Sequence, residues 1–396
     1  MNPDTPLILL GGISPQTFMR RYWQRKPLLI RQAIPDFVPS LSMADVGQLA
    51  RREEVQSRLI WRDAAGWHMK HGPFRRLPPA RQAAWTLLVQ SVDLHDDETA
   101  RLLGQFRFIA DARLDDAMIS IASDGGGVGP HFDSYDVFLL QAHGRRRWRI
   151  SGQKDLALHP GLPLKILKDF RQEQEYVLEP GDMLYLPPHI AHDGIALGDC
   201  MTISIGFRAP AMATLARGLL EAAADQIGAR AGGDGGIYAN PPLPGPALTQ
   251  VFRDAGAAAT SRPARLPDTL VEAALDTLEK IRFDDRLASR FLGQWLTELS
   301  PSAIFEPDAH GPDLRAAPPT SGLLFLDRCT RLMYRGRDLF INGELAPAAP
   351  SPALRKLADR RRLDCAGGAT RALDATELGM LADWLAEGWL HFDSDA

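Results

Sequence analysis

The residues best placed to do chemistry are His131 and Asp133, approached by Gly125-Gly126-Gly127-Val128-Gly129-Pro130. At i and i+2 on a strand or its end, two side chains share one side. Joined by a histidine from another strand, such a pair makes the 2-His-1-carboxylate triad, which grips non-haem iron on one face and leaves the remaining positions open. The run Pro187-Pro188-His189-Ile190-Ala191-His192 offers that histidine. His189 falls in the Pro-Pro turn, whereas His192 stands before Asp193-Gly194, deeper in the strand that follows. The predicted ligands are therefore His131, Asp133 and His192. The spacing alone is weak evidence, because His391-Phe392-Asp393 repeats it. That copy follows a helix-like segment at the end of the sequence, with no glycine-rich approach and no later histidine, and it reads as a decoy. The competing use of the first set is packing, with the histidines filling a barrel that holds no metal.

A buried charge adds to the pattern. In Arg145-Arg146-Arg147-Trp148-Arg149-Ile150, strand alternation puts Arg146, Trp148 and Ile150 on one face and the other arginines on the opposite one. A face carrying Trp and Ile looks into a core, so Arg146 points a guanidinium inward, which is too costly without an anion. A carboxylate received by both arms of the fork is the natural partner. It could belong to the protein, or it could be the distal carboxylate of 2-oxoglutarate, whose keto-acid end chelates iron. Ser120, on the Met118-Ser120-Ala122 face of a neighbouring strand, would add a hydroxyl to the same pocket.

These side chains need a scaffold of short strands, and the sequence supplies one between Ala117 and Phe207. Strands are predicted over 118–122, 136–142, 145–150, 176–178, 183–186 and 201–207, with Glu179-Pro180-Gly181-Asp182 as a tight turn. A double-stranded β-helix (a cupin-type jelly roll) suits strands of this length and sets metal ligands inside its mouth. Upstream, Ser14-Pro15 starts a helix that ends by Lys26-Pro27, Leu28–Ile30 is a strand, and 42–52 is a second helix. Residues 58–61 and 66–71 alternate like a hairpin, which accounts for His68 and His71 without a metal, and 86–94 is expected to be helical.

Beyond Pro210 the chain turns helical over 213–227, 268–281 and 285–299, with a Gly/Pro linker over 231–246. Apolar faces such as Leu270, Val271, Leu275 and Leu278 would cover core or hold a dimer together. Strands around Asn342-Gly343 and helices near 352–362 and 375–387 suggest a small winged-helix-type domain. Its arginines are interspersed with Asp and Glu, which favours protein contact over direct DNA binding. The expected fold class is a mainly β catalytic core with helical and winged-helix additions, bounded at 1–210, 211–310 and 311–396.

Composition sets limits on all this. With 45 Lys and Arg against 49 Asp and Glu, the formal charge of −4 gives no basic bias for wholesale nucleic-acid binding. The three cysteines are far apart, without a CxxC, which fits a reducing cytoplasm and suggests neither a disulfide framework nor zinc. The apolar run Leu7–Leu10 is too short for a signal peptide's core, and nothing later is expected to span a membrane.

Asp115-Asp116-Ala117-Met118-Ile119-Ser120, the Gly125–His131 approach, Asp136-Val137-Phe138, Gly144–Trp148, Leu178–Asp182 and Gly206–Pro210 together resemble the JmjC ribosomal oxygenases. The likeness extends to Tyr22–Pro27, His71–Phe74 and Asn342-Gly343, and it is looser after Pro210. It is greatest to the bacterial branch that hydroxylates an arginine at C-3 in the sixteenth large-subunit ribosomal protein. The resemblance implies Fe(II) on His131, Asp133 and His192, and 2-oxoglutarate on Arg146 and Ser120. O2 would be the oxidant, with succinate and CO2 as by-products. It also implies a helical dimerisation region, and hence a homodimer, and a winged-helix C-terminus. For the substrate arginine it implies a pocket of Asp116, Met118, Tyr135 and Ser204. Histidine-directed branches anchor the cosubstrate with lysine, so Arg146 favours the arginine branch. Thr202 departs from the pattern, standing where an asparagine is expected, and so does His189, where a small residue is usual. The expected function is thus an Fe(II)/2-oxoglutarate-dependent protein hydroxylase. The alternatives are a histidine-directed hydroxylase and a non-catalytic cupin-type binding protein.

Overall fold

The strands before Ala209 are β1 (Leu28–Ile30), β2 (Ser57–Asp63), β3 (Gly66–His71), β4 (Trp85–Val89), β5 (Leu114–Ala122), β6 (Val137–Ser151), β7 (Gln174–Leu178), β8 (Met183–Leu186) and β9 (Ala191–Phe207). In this computed structural model, which describes residues 2–79, 81–307, 311–368 and 370–394, they form one antiparallel sheet in the order β1-β8-β6-β9-β5-β4-β2-β3, with β7 also on β6. Contacts divide the chain into two units. One runs to Ala209 and takes in Ser300–Ile304; the other holds Pro210–Leu299 and the chain from Phe305.

The longest strands bend the sheet into a barrel. β6 pairs with β8 through Val137–Leu140 and with β7 through Arg146–Ile150, and its register against β9 shifts on either side of His143. A bulge of this kind turns a strand without ending it. The sequence reading broke β6 in two and started β9 only at Met201. Both are continuous, because Gly144 (φ +61°) and Gly198 (φ +77°) carry the bends.

The helix expected over 86–94 is instead β4 followed by a single 3-10 turn, Val92–Leu94. Trp85–Val89 is buried throughout, between β2 and β5. An apolar run with no polar face looks alike in either state, and its length is that of a strand. The neighbouring helices are α1 (Pro15–Arg21), α2 (Met43–Leu49) and α3 (Asp97–Gly104), of which α3 was not foreseen. Ser14 accepts the Thr17 amide at α1, and Ser42 with Asp45 forms a capping box at α2. The first helix presents Phe18, fully buried, to Phe138 and Tyr185, so the barrel's outer wall is a packed core.

The second unit contains α4 (Met212–Arg230), α5 (Asp268–Glu279), α6 (Asp285–Thr297), β10 (Leu323–Leu326), β11 (Leu332–Arg335), β12 (Asp338–Ile341), β13 (Glu344–Leu345), α7 (Pro352–Arg360), β14 (Arg362–Asp364), α8 (Ala375–Ala386) and β15 (Leu390–Asp393). Leu287 and Phe291 of α6 pack with Ala222, Ala223 and Tyr238. No residue of α5 is buried, and Leu270, Val271, Leu275 and Leu278 are exposed. The remainder forms two three-stranded sheets, β14-β10-β15 and β11-β12-β13, with α7 and α8 contributing to the core between them. No helix is long and apolar enough to cross a membrane among the described residues.

Candidate active site

The glycine-rich approach explains how His131 reaches its neighbours. Gly125 donates to the Ala196 carbonyl and Ala196 to the Gly126 carbonyl, so the loop runs along β9. At Gly127 a Cβ would stand 2.6 Å from the Gly194 carbonyl oxygen, closer than any side chain permits. The run ends in an isolated bridge, where His131 and His192 exchange backbone hydrogen bonds at 2.9 and 2.7 Å. Their ring centroids lie 4.2 Å apart.

His131, Asp133 and His192 each offer a ligand atom within 4.8 Å of the others, and His192 Nε2 stands 3.6 Å from Asp133 Oδ2. An ion bonded at about 2.1 Å would draw them somewhat closer. Both imidazoles are already oriented for this. His131 Nδ1 lies 2.8 Å from the Gly129 carbonyl and His192 Nδ1 lies 2.9 Å from that of Ile190. A carbonyl only accepts, so Nδ1 carries the proton and Nε2 presents its lone pair to the cluster. Burial, helped by His131, pushes His192 down to about 4, leaving it neutral at pH 7 as a ligand must be. His189 is not in the cluster. Its φ of +66° belongs to the turn, and its amide donates to the Asp133 carbonyl at 2.8 Å, holding that loop against the Pro-Pro turn.

Along β6 the expected alternation is present, with Arg146, Trp148 and Ile150 buried and the intervening arginines more exposed. Arg146 retains 5% of its surface. Among the described residues it makes no ion pair with a carboxylate; its Nε has no hydrogen-bond partner, its Nη2 donates to Cys200 Sγ at 3.5 Å, and its guanidinium stands 5.7 Å from the centre of the Trp148 ring. Beside it Ala122, Ala196 and Cys200 form a cluster of small side chains. Trp148 lies over Gly194, where a Cβ would come within 2.6 Å of the ring. An unpaired guanidinium facing small residues near a ligand triad fits a bound diacid. Ser120, 3% exposed, donates to the Thr202 carbonyl at 3.4 Å, a long bond that leaves its hydroxyl weakly committed. Thr202 is tied to Gln141 by a 3.0 Å hydroxyl-to-amide bond.

At the mouth, Met118 faces Ser204 across β5 and β9, and Ser204 is in turn opposite Leu139. Asp116 Oδ2 accepts from Gln90 Nε2 at 3.1 Å and from the Ser91 amide and hydroxyl at 2.8 and 3.1 Å. Burial first, then the charge of Asp115, pushes Asp116 up. Tyr135 is 39% exposed; burial and then the charges of Asp133 and Asp116 push its hydroxyl up. Gln90, Ser91 and Asp93 lie in the stretch whose pattern predicts a helix, which hides their role. The signal that would have found them is the polar break after the apolar run 85–89. A second unnoticed set holds the loop between the ligands and β6. Buried Asp136 accepts from Tyr185 at 2.6 Å and from Gln24 Nε2 at 3.0 Å, while Arg113 stands 3.6 Å away.

The second His-x-Asp has other surroundings: His391 lies in β15, and its Nε2 is 3.2 Å from Asp327 Oδ2. His68 stacks on Trp61 and contacts Asp63 at 2.9 Å.

The chain is similar to known proteins. Residues 101–215 match the JmjC domain family and residues 280–391 the ROXA-like winged helix. A further match, to an AraC-like ligand binding domain, covers 170–275. The chain is 33% identical over 380 residues to the ribosomal protein uL16 3-hydroxylase of Escherichia coli, covering 95% of this chain and 97% of that protein. It is 37% identical over 216 residues to a probable ribosomal oxygenase of Haemophilus influenzae, about half of each chain at 52%. Among solved structures, E. coli YcfD matches with a TM-score of 0.79 over 96% of this chain and 98% of that one, at 29% identity. Its complex with cobalt and 2-oxoglutarate matches with a TM-score of 0.76, 29% identity and the same coverage.

Proposed function

Because the chain belongs to the JmjC ribosomal oxygenases, we propose that it hydroxylates C-3 of an arginine in ribosomal protein uL16, as the named activity of its E. coli relative suggests. The chemistry of the family is that of Fe(II), 2-oxoglutarate and O2. When bound, iron and 2-oxoglutarate supply the oxidation, releasing succinate and CO2 and giving one oxygen atom to the substrate carbon. The protein's part is to hold, orient and keep out water.

His131, Asp133 and His192 hold the iron, with each histidine locked in the right tautomer by a backbone carbonyl. Arg146 would receive the distal carboxylate of 2-oxoglutarate, with the Ser120 hydroxyl as a further donor. Asp116 receives the substrate guanidinium, Tyr135 and Met118 flank its plane, and Ser204 lines the floor. A neutral side chain would leave the half-buried Asp116 unpaired, which is the basis for choosing arginine.

The observation that carries this reading is Arg146, a buried guanidinium without a carboxylate partner among the described residues, on the strand that pairs with the one carrying His192. The test is to incubate the iron-loaded protein with uL16 and 2-oxoglutarate and map modification by mass spectrometry. One added oxygen on a single arginine is expected; oxygen on a histidine, or none, overturns the assignment.

Three further elements belong to the proposal. The helical region over 211–310 makes a homodimer, which would cover the exposed apolar residues of α5. The domain over 311–396 contacts protein, not DNA. A ribosomal substrate places the reaction in the cytoplasm.

A further inference from the structure

Asp116 shares its pocket with a cation of the protein's own. Arg58 of β2 lies opposite Leu88 of β4, and Leu88 lies opposite Ser120 of β5, so Arg58 is on the sheet face that carries the site. Its Nη2 donates to Gln90 Oε1 at 3.0 Å, and Gln90 Nε2 donates to Asp116 Oδ2 at 3.1 Å. Among the described residues no ion pair joins Arg58 to a carboxylate, and the Gln90 and Ser91 donors to Asp116 all converge on Oδ2, leaving Oδ1 open to a further donor. We propose that Gln90 is a specificity-determining spacer, whose amide stands between Arg58 and Asp116 and so keeps the Asp116 carboxylate available to a cationic substrate. The proposal rests on the reading of Asp116 as the guanidinium's partner.

The amide is suited to this by its chemistry. It accepts on one atom and donates on the other, so it satisfies the arginine and the aspartate at once while keeping them apart. A glutamate would accept from Arg58 and repel Asp116; an aliphatic residue would do neither and release Arg58. Ser91, with φ of +51°, adds its amide and hydroxyl to the same Oδ2, which fixes the carboxylate with Oδ1 outward. The surroundings are short of positive charge. Asp93 is 6% exposed and accepts the Ala117 amide at 2.8 Å. Burial and then the charge of Asp116 push it up to about 7. Asp115 has its own partner, Arg208 at 3.3 Å. A guanidinium arriving at Oδ1 would relieve this excess, and so would Arg58 if nothing intervened.

The experiment uses the iron-loaded enzyme, Gln90→Leu, and Gln90→Leu combined with Arg58→Met. Gln90→Leu is expected to raise KM for an arginine-containing uL16 peptide by roughly ten- to a hundredfold with kcat changed little. Adding Arg58→Met should return most of the lost affinity, because the intruding cation is gone. A crystal structure of the Gln90→Leu protein should show Arg58 paired with Asp116. If that pair does not form, or if Arg58→Met fails to restore KM, the spacer role is wrong. Asp116→Asn separates the two ideas. If it leaves the peptide's KM unchanged, the reading of Asp116 as the substrate's partner fails. If it raises KM while Gln90→Leu does not, only the spacer fails.

Discussion

His131-Phe132-Asp133 and His391-Phe392-Asp393 place the same three residue types in two regions, and the chain puts them to different uses. In the barrel, the histidine is delivered by a glycine loop pressed against β9, and bridging brings His192 alongside. In the C-terminal unit the histidine sits within an ordinary strand, beside Phe325 and Asp327. The buried groups around each copy differ as well. The barrel copy shares its unit with a guanidinium that has no carboxylate partner among the described residues and with aspartates that burial pushes up. Beside the terminal copy, Asp327 is paired with His391, and its acidity is strengthened. A triplet becomes a site when a third ligand and an unmatched buried charge face it.

The largest contrast is in metal binding. His131→Ala should abolish tight binding of one iron per chain in an anaerobic titration and with it all hydroxylation, whereas His391→Ala should retain full stoichiometry. Iron lost from the second variant would end the distinction between the copies. Next in size is the cosubstrate. Arg146→Met should weaken 2-oxoglutarate by about a hundredfold, the scale of a buried charge pair broken at one end, and leave iron affinity nearly intact. Equal weakening of both, read by titrating each in turn, would make Arg146 a structural residue.

The first of these was open to reading from residue types, because a metal triad needs fixed ligands at fixed topological places. Arg146 was readable for a similar reason, since alternation along β6 assigns each arginine to a side. What stayed hidden were groups whose role comes from tertiary placement. Gln90, Ser91 and Asp93 meet Asp116 only because β4 lies beside β5. A run of five buried residues, Trp85–Val89, four of them apolar, carries no period to reveal that. The long strands β6 and β9 were cut at glycines for the opposite reason. Glycine commonly marks a turn, but in a strongly bent sheet it also lets a paired strand bend. Asp136, Tyr185 and Gln24 form their network across 161 residues of chain, beyond any local pattern.

A third comparison sets substrate against cosubstrate within the barrel. Asp116→Ala should raise KM for the arginine peptide by roughly ten- to a hundredfold, with 2-oxoglutarate affinity unchanged by titration. A parallel loss of both would mean that Asp116 shapes the whole mouth and does not select the substrate.

The smallest effect is in pH, and its sign differs between the regions. Asp93 has its carboxyl raised to about 7 by burial and the Asp116 charge. The folded protein therefore holds that proton more tightly than the unfolded chain does, and stability falls as pH rises from about 4 through about 7. Asp327 is the reverse. Burial opposes its ionisation, but bonds from His391 and the Cys329 amide outweigh that and lower it, so its contribution is present above the ordinary carboxylate range and is lost as pH falls. Asp93→Asn keeps an oxygen for the Ala117 amide and removes the charge, so it should stabilise the protein at pH 8 by on the order of 1–2 kcal/mol and change little at pH 4. Asp327→Asn should destabilise at pH 8 and matter less in acid. Denaturant melts of both variants at the two pH values would show curves that diverge in opposite directions. The same charge argument applies to substrate: a bound guanidinium favours ionised Asp93, so the peptide's KM in wild type should fall as pH rises through about 7, and that slope should flatten in Asp93→Asn. A slope unchanged by the substitution would place the titrating group elsewhere and remove Asp93 from the excess of negative charge that sets the barrel copy apart.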